Sequence, residues 1–316
     1  MTSIMTKAVL AFSVSFVALS GLAKAAEAES CGTVRFADVG WSDIAATTGT
    51  ASFVLKSLGY ETDVKVLSVP VTFQSMKNKD IDVFLGNWMP TMEADLKPFR
   101  DDKSVEVLRE NLEGAKYTMT TNEAGAKLGI KDFADIAKNK DALENKVYGI
   151  EPGNDGNRLI LTMIDGDKFA MKGMELVESS EQGMLSQVAK LSTDAKPIVF
   201  LGWAPHPMNA NFKLTYLTGG DDVFGPNFGG ATVYTNIRAG YATECPNVGA
   251  FLKNLKFSLE MENEVMAKIL DDGKEPEAAA SEWLKANPAV FEPWLAGVTT
   301  KDGGDAVAAV KGALGL

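Results

Sequence analysis

The sequence predicts an α/β fold of two doubly wound lobes, joined by two crossovers and facing one cleft. Three observations carry that expectation. An apolar strand followed by glycine, tryptophan and proline occurs twice, as Val83-Phe84-Leu85-Gly86-Asn87-Trp88-Met89-Pro90 and as Val199-Phe200-Leu201-Gly202-Trp203-Ala204-Pro205. Strand and helix patterns alternate before each copy, which implies parallel sheets covered by helices. The chain, at 316 residues, is long enough for two domains. A buried strand of an α/β layer presents its functional loop at its C-terminal end. Two such strands would each deliver an exposed indole to the gap between lobes.

The first lobe opens with a strand at 33–39, then Gly40-Trp41-Ser42-Asp43, with Ser42 expected as the N-cap of a helix to about residue 58. A strand at 62–69, a short helix at 70–78 and a strand at 81–85 complete it. Residues 111–115 are expected to form a crossover. The second lobe then has strands at 117–121, 146–150, 174–178 and 197–201, with helices at 130–139, 157–164 and 181–191 between them. A return strand at 213–217 leads to a glycine-rich loop and a second crossover near 214–222, and the remainder is mostly helical. The expected division is therefore 31–112 with 219–316 as lobe one and 113–218 as lobe two.

Residues 1–25 read as a signal peptide. Lys7 precedes an uncharged run at 8–23 that is short for a bilayer span. Ala23-Lys24-Ala25 supplies a small-x-small cleavage pattern, with Ala26-Glu27-Ala28 as an alternative. No cysteine marks a lipid anchor and no later apolar run is long enough to span, so a periplasmic protein, not membrane-inserted and monomeric, is expected. Cys31 and Cys245 are the only cysteines. In an exported chain an even pair suggests a disulfide, the other reading being two buried thiols. Net charge of −11 disfavours nucleic acid as a partner. It suits a cationic ligand, although a diffuse acidic surface commonly serves solubility alone.

Trp41, Trp88, Tyr117, Asn154 and Trp203 all fall at strand ends or strand-to-helix loops. Aromatic faces suit a quaternary ammonium, which has no N–H for a hydrogen bond but is attracted by the ring quadrupole. Each desolvated face contributes roughly 0.5–2 kcal/mol, and four give at most ~8 kcal/mol, a micromolar affinity before ordering costs. Asp43 would add a counter-charge and an acceptor for a hydroxyl, or else serve only as a first-turn acid of its helix. Asn154 offers a donor and an acceptor, or else belongs to the turn Pro152-Gly153-Asn154-Asp155-Gly156. That loop's N–H groups could also cradle an anion. Trp283, Trp294, Phe73, Phe84, Phe200 and Phe251 are assigned to the core. His206 is the only histidine, and no Cys/His cluster, Gly-x-Ser-x-Gly or phosphate loop is present. No catalytic residue, metal or cofactor is assigned.

These residues resemble the choline-binding proteins that feed ABC importers, within the wider group that binds glycine betaine and related osmolytes. The resemblance runs the mature length and rests on Gly40-Trp41-Ser42-Asp43, Gly86-Asn87-Trp88-Met89-Pro90, Tyr117, Glu151-Pro152-Gly153-Asn154 and Gly202-Trp203-Ala204-Pro205-His206. It implies a type II periplasmic binding-protein fold that closes around its ligand. It implies that Trp41, Trp88, Tyr117 and Trp203 box the trimethylammonium group of choline or acetylcholine. Asp43 and Asn154 would take the polar end, Cys31 and Cys245 would be bridged, and an ABC permease would be the partner. Two rivals follow from the residues. One is a glycine betaine or proline betaine receptor, favoured by a basic residue or an anion nest in the cleft. The other is a hydrolase of choline esters, favoured by a serine poised beside His206.

Overall fold

The N-terminal alternation of strands and helices forms one β-α-β-α-β unit in the computed structural model, which describes residues 27–316. The signal-peptide expectation lies outside the described residues. Strand β1 (Thr33–Asp38) is followed by α1 (Ser42–Ser57), β2 (Glu61–Val66), α2 (Val69–Lys77) and β3 (Val83–Met89). β1 pairs in parallel with both β2 and β3, so the local order is 2-1-3. After α3 (Glu93–Asp101) and β4 (Val105–Thr121) come the short helices α4 (Glu123–Lys127) and α5 (Phe133–Lys138). A second unit follows: β5 (Lys146–Tyr148), α6 (Asp155–Asp165), β6 (Glu175–Val177), α7 (Glu181–Thr193) and β7 (Val199–Ala204). β5 pairs in parallel with β6 and β7, which repeats the 2-1-3 order. The duplicated Gly-Trp motifs therefore occupy equivalent third strands.

Short helices α8 (Met208–Asn211), α9 (Asp221–Phe224) and α10 (Pro226–Gly229) flank β8 (Thr215–Tyr216) and lead into β9 (Gly230–Arg238). The chain ends in helices α11 (Tyr241–Glu244), α12 (Pro246–Asn254), α13 (Leu259–Leu270), α14 (Pro276–Ala286), α15 (Phe291–Trp294) and α16 (Ala306–Leu314). The strand order is β2-β1-β3-β9-β4-β7-β5-β6, with β8 paired to β4. An antiparallel β9–β4 pair thus joins the two parallel units.

Residues 111–115, expected to form a crossover, are strand and not loop. Those residues lie within β4, which pairs with β9 up to Lys116 and with β7 from Lys116 onward. Register shifts along the β4–β9 ladder absorb the change of partner.

Side-chain hydrogen bonds tie the strands together inside the sheet, as burial favours. Asp82, at the start of β3, accepts from Arg35 at 2.7 Å and from Arg238 at 2.7 Å. Asn111 donates to Leu85 O at 2.8 Å and to Thr235 at 3.0 Å, tying β4 to β3 and β9. Phe73, Phe84, Phe200, Phe251, Trp283 and Trp294 are all buried in the core. Cys31 and Cys245 form a disulfide with Cα atoms 5.6 Å apart, so the chain's start is bound to the beginning of α12.

Candidate ligand-binding site

The loop after β1 places Trp41 and Asp43 on either side of Ser42. Trp41, not Ser42, is the N-cap of α1, with an extended backbone at φ −98° and ψ 145°. Ser42 is displaced from that role because its amide and hydroxyl both donate to Glu181, at 2.9 and 2.5 Å. Trp88 and Trp203 lie inside β3 and β7, not in loops beyond them. They are only 3% and 4% exposed, so the expectation of solvent-facing indoles is corrected. The strands run past their glycines because β9 and β4 supply antiparallel partners there: Trp88 sits opposite Val233 and Trp203 opposite Tyr117.

Glycines permit the close approaches. A Cβ on Gly86 would fall 2.2 Å from the Ile44 side chain, next to Asp43, and one on Gly156 would fall 2.1 Å from the Tyr117 hydroxyl.

Trp41, Asp43, Trp88, Tyr117 and Trp203 line one small buried cavity of about 10 Å³, together with Ile150. Tyr117 is the hub. Its ring lies edge-on to Trp88 at 6.1 Å and 64°, and to Trp203 at 6.3 Å and 78°. Phe224 backs it at 6.0 Å and 89°. Two of the three indole donors are engaged: Trp88 Nε1 donates to Asp43 Oδ2 at 3.1 Å, and Trp41 Nε1 to Glu151 Oε1 at 2.7 Å. Rings whose only donor is occupied present carbon and π-face to a guest. Asn154 is buried but is not among the cavity-lining residues. Its Oδ1 accepts the Tyr117 hydroxyl at 2.9 Å and caps α6 by accepting the Asn157 amide at 3.0 Å.

Electrostatically the cavity is short of positive charge. Asp43 Oδ1 is buried without a partner. Burial first, and then repulsion from Glu181, push the Asp43 carboxyl up to about 8, against the help of the Trp88 hydrogen bond. Burial likewise raises Glu151 to about 7, and it drives Glu262 well above the carboxylate range, with Asp43 adding to the effect. Tyr117 is held well above its ordinary value, chiefly by burial, and so stays a neutral phenol. The nearby Arg158 is committed elsewhere, to Asp95 at 2.6 Å and Thr91 O at 3.0 Å. A guest cation would restore the charge balance that Asp43 lacks.

A serine does stand beside His206: Ser42 Oγ is 3.1 Å from Nε2. The geometry is nevertheless not that of a nucleophile and base. His206 Nδ1 accepts the Met208 amide at 2.9 Å, so in the neutral ring Nε2 carries the hydrogen. The acid, Glu181, sits at that same Nε2, 3.1 Å away, whereas a catalytic triad needs it on Nδ1. Ser42 gives its own hydrogen to Glu181.

Sequence reasoning passed over Ile150, Glu151, Ser42, Glu181 and Phe224. Glu151 lay inside a motif already singled out. Glu181 had only the signal of an acid at a helix start, which describes many surface helices.

Residues 32–286 match the family described as the substrate-binding domain of ABC-type glycine betaine transport systems, OpuAC. The chain belongs to this family. A solved structure described as an ABC-transporter choline-binding protein in complex with choline is 72% identical, covers 91% of this chain and 100% of its own, and superposes with a TM-score of 0.90. Its unliganded semi-closed form superposes with a TM-score of 0.84. Lactococcal OpuAC, closed on glycine betaine, shares the type II binding-protein fold at 24% identity and a TM-score of 0.75 over 83% of this chain and 98% of its own. Among curated relatives, the glycine betaine/carnitine transport binding protein GbuC of Listeria monocytogenes is 35% identical over 41% of this chain and 42% of its own. The OpuAC chain described here thus has the two-unit α/β fold that its sequence predicted.

Proposed function

We propose that this OpuAC protein captures choline outside the cytoplasm and delivers it to an ABC permease. The single observation that carries the reading is the cavity itself: three indoles, a phenol and one carboxyl group with a partnerless oxygen enclose it, and no base lines it. Cation–π attraction would hold the trimethylammonium group, Asp43 would supply the counter-charge, and Asn154 would act through the Tyr117 hydroxyl. The 72% identical choline complex supports the same reading. Acetylcholine has the same head group and would share the box.

Lobe one (31–112 with 219–316) and lobe two (113–218) would close over the ligand, with β4 and β9 passing between them. Among the described residues no helix is long and apolar enough to cross a membrane. Glu27 accepts the Asn247 amide at 2.5 Å at the start of α12 and the Tyr60 hydroxyl at 2.5 Å. Those contacts favour cleavage after Ala25 over cleavage after Ala28, in a mature protein that acts as a monomer. The positions of Ser42, Glu181 and His206 support a receptor and not an esterase.

A betaine receptor is the second reading, favoured by the family description and by GbuC. A betaine carboxylate would meet Asp43 without a compensating base. Calorimetric titration with choline, its dimethylated analogue and glycine betaine separates the two. The expected order of affinity is choline, then the dimethyl compound, with betaine much weaker; betaine binding as tightly as choline would refute the reading.

A further inference from the structure

Helix α1 carries two cage residues at its start but lacks a cap of its own. Trp41 is its N-cap residue and makes no side-chain cap hydrogen bond. A 16-residue helix leaves several N-terminal amides without helical partners. The missing acceptor arrives from the other parallel unit. Glu181, at the first position of α7 and 0% exposed, accepts the Ser42 amide on Oε2 and the Ser42 hydroxyl on Oε1. Its Oε1 also faces His206 Nε2 at 3.1 Å, and the His206 ring packs edge-on to Trp203 at 5.0 Å and 73°.

We infer that Glu181 is a positioning residue that caps α1 from across the cleft, thereby holding Trp41, Asp43 and Trp203 in register and setting how long the closed state lasts. The inference rests on the proposed capture of choline between two closing lobes. The cap forms only when the units carrying α1 and α7 are together. Opening returns the carboxylate and the Ser42 amide to water. An interaction present in the closed state and absent from the open one shifts the balance between them. Glu181 is not itself a cavity-lining residue, and it acts through its contacts with Ser42 and His206 and through its charge near Asp43.

The test compares wild type with Glu181→Ala, Glu181→Gln and Ser42→Ala by stopped-flow tryptophan fluorescence, with melting of each unliganded protein as a control. Losing a charge-assisted cap is expected to speed choline dissociation on the order of ten- to a hundredfold in Glu181→Ala. Association should change far less, as is usual for variants of one binding surface. Glu181→Gln, which can still accept an amide, should recover part of the lifetime, and Ser42→Ala should lose several-fold. Dissociation rates within twofold of wild type in all three would overturn the inference, including where Glu181→Ala alone melts lower, since that would mark a purely structural role. A wild type that ignores choline but binds glycine betaine would refute the ligand assignment, and the same rates measured with betaine would still judge Glu181.

Discussion

At Asp43 the competing terms are burial and charge. The side chain is fully enclosed, one oxygen is held by Trp88 and the other has no partner. Burial, with repulsion from Glu181, lifts this carboxyl to about 8 in the folded protein. The unfolded chain releases the proton near the ordinary carboxylate value. Over the interval between, the native state binds more protons than the unfolded state, so stability falls as pH rises. A cation bound in the proposed cage would keep Asp43 ionised and remove that loss. The melting temperature gained on adding choline should therefore widen from pH 5 to pH 8, and Asp43→Asn should reduce the widening, as scanning fluorimetry would show. A gain that shrinks with pH would contradict the assignment. At this scale the tryptophans and Tyr117 were legible because aromatic residues at strand ends are conspicuous. Ile150 and Glu181 were not, since an isoleucine ending a strand and an acid starting a helix have ordinary explanations in any α/β protein.

The elements show where local reading stops. Gly86-Asn87-Trp88 and Gly202-Trp203 looked like strand ends because glycine and proline punctuate, yet both strands continue through them. What continues them is β9 and β4, whose pairings join residues far apart in sequence. The same non-local pairing concealed β4, whose change of partner at Lys116 resembles a loop when no partner is visible. Gly86 has a packing role as well. Adding a methyl group there drives it into Ile44, and the clash is passed to Asp43 one residue earlier in α1. Gly86→Ala should cost about 1–3 kcal/mol of stability, typical of overpacking, and should also weaken choline. Unchanged melting and titration curves would remove Gly86 from the account.

Across the whole molecule, a 2-1-3 parallel unit occurs twice, and the antiparallel pair β9–β4 joins the copies. Duplication explains why one motif reveals so much: each unit brings an indole on its third strand to the same cavity, and each contributes from the loop after its first strand. The binding principle is then a single claim about charge, because a ring quadrupole attracts a cation but not an uncharged group of the same shape. Calorimetric titration of choline against 3,3-dimethylbutan-1-ol, in which carbon replaces the quaternary nitrogen, tests it most directly. Choline is expected to bind at least about a hundredfold more tightly; affinities within a few-fold of each other would contradict a cage that recognises charge.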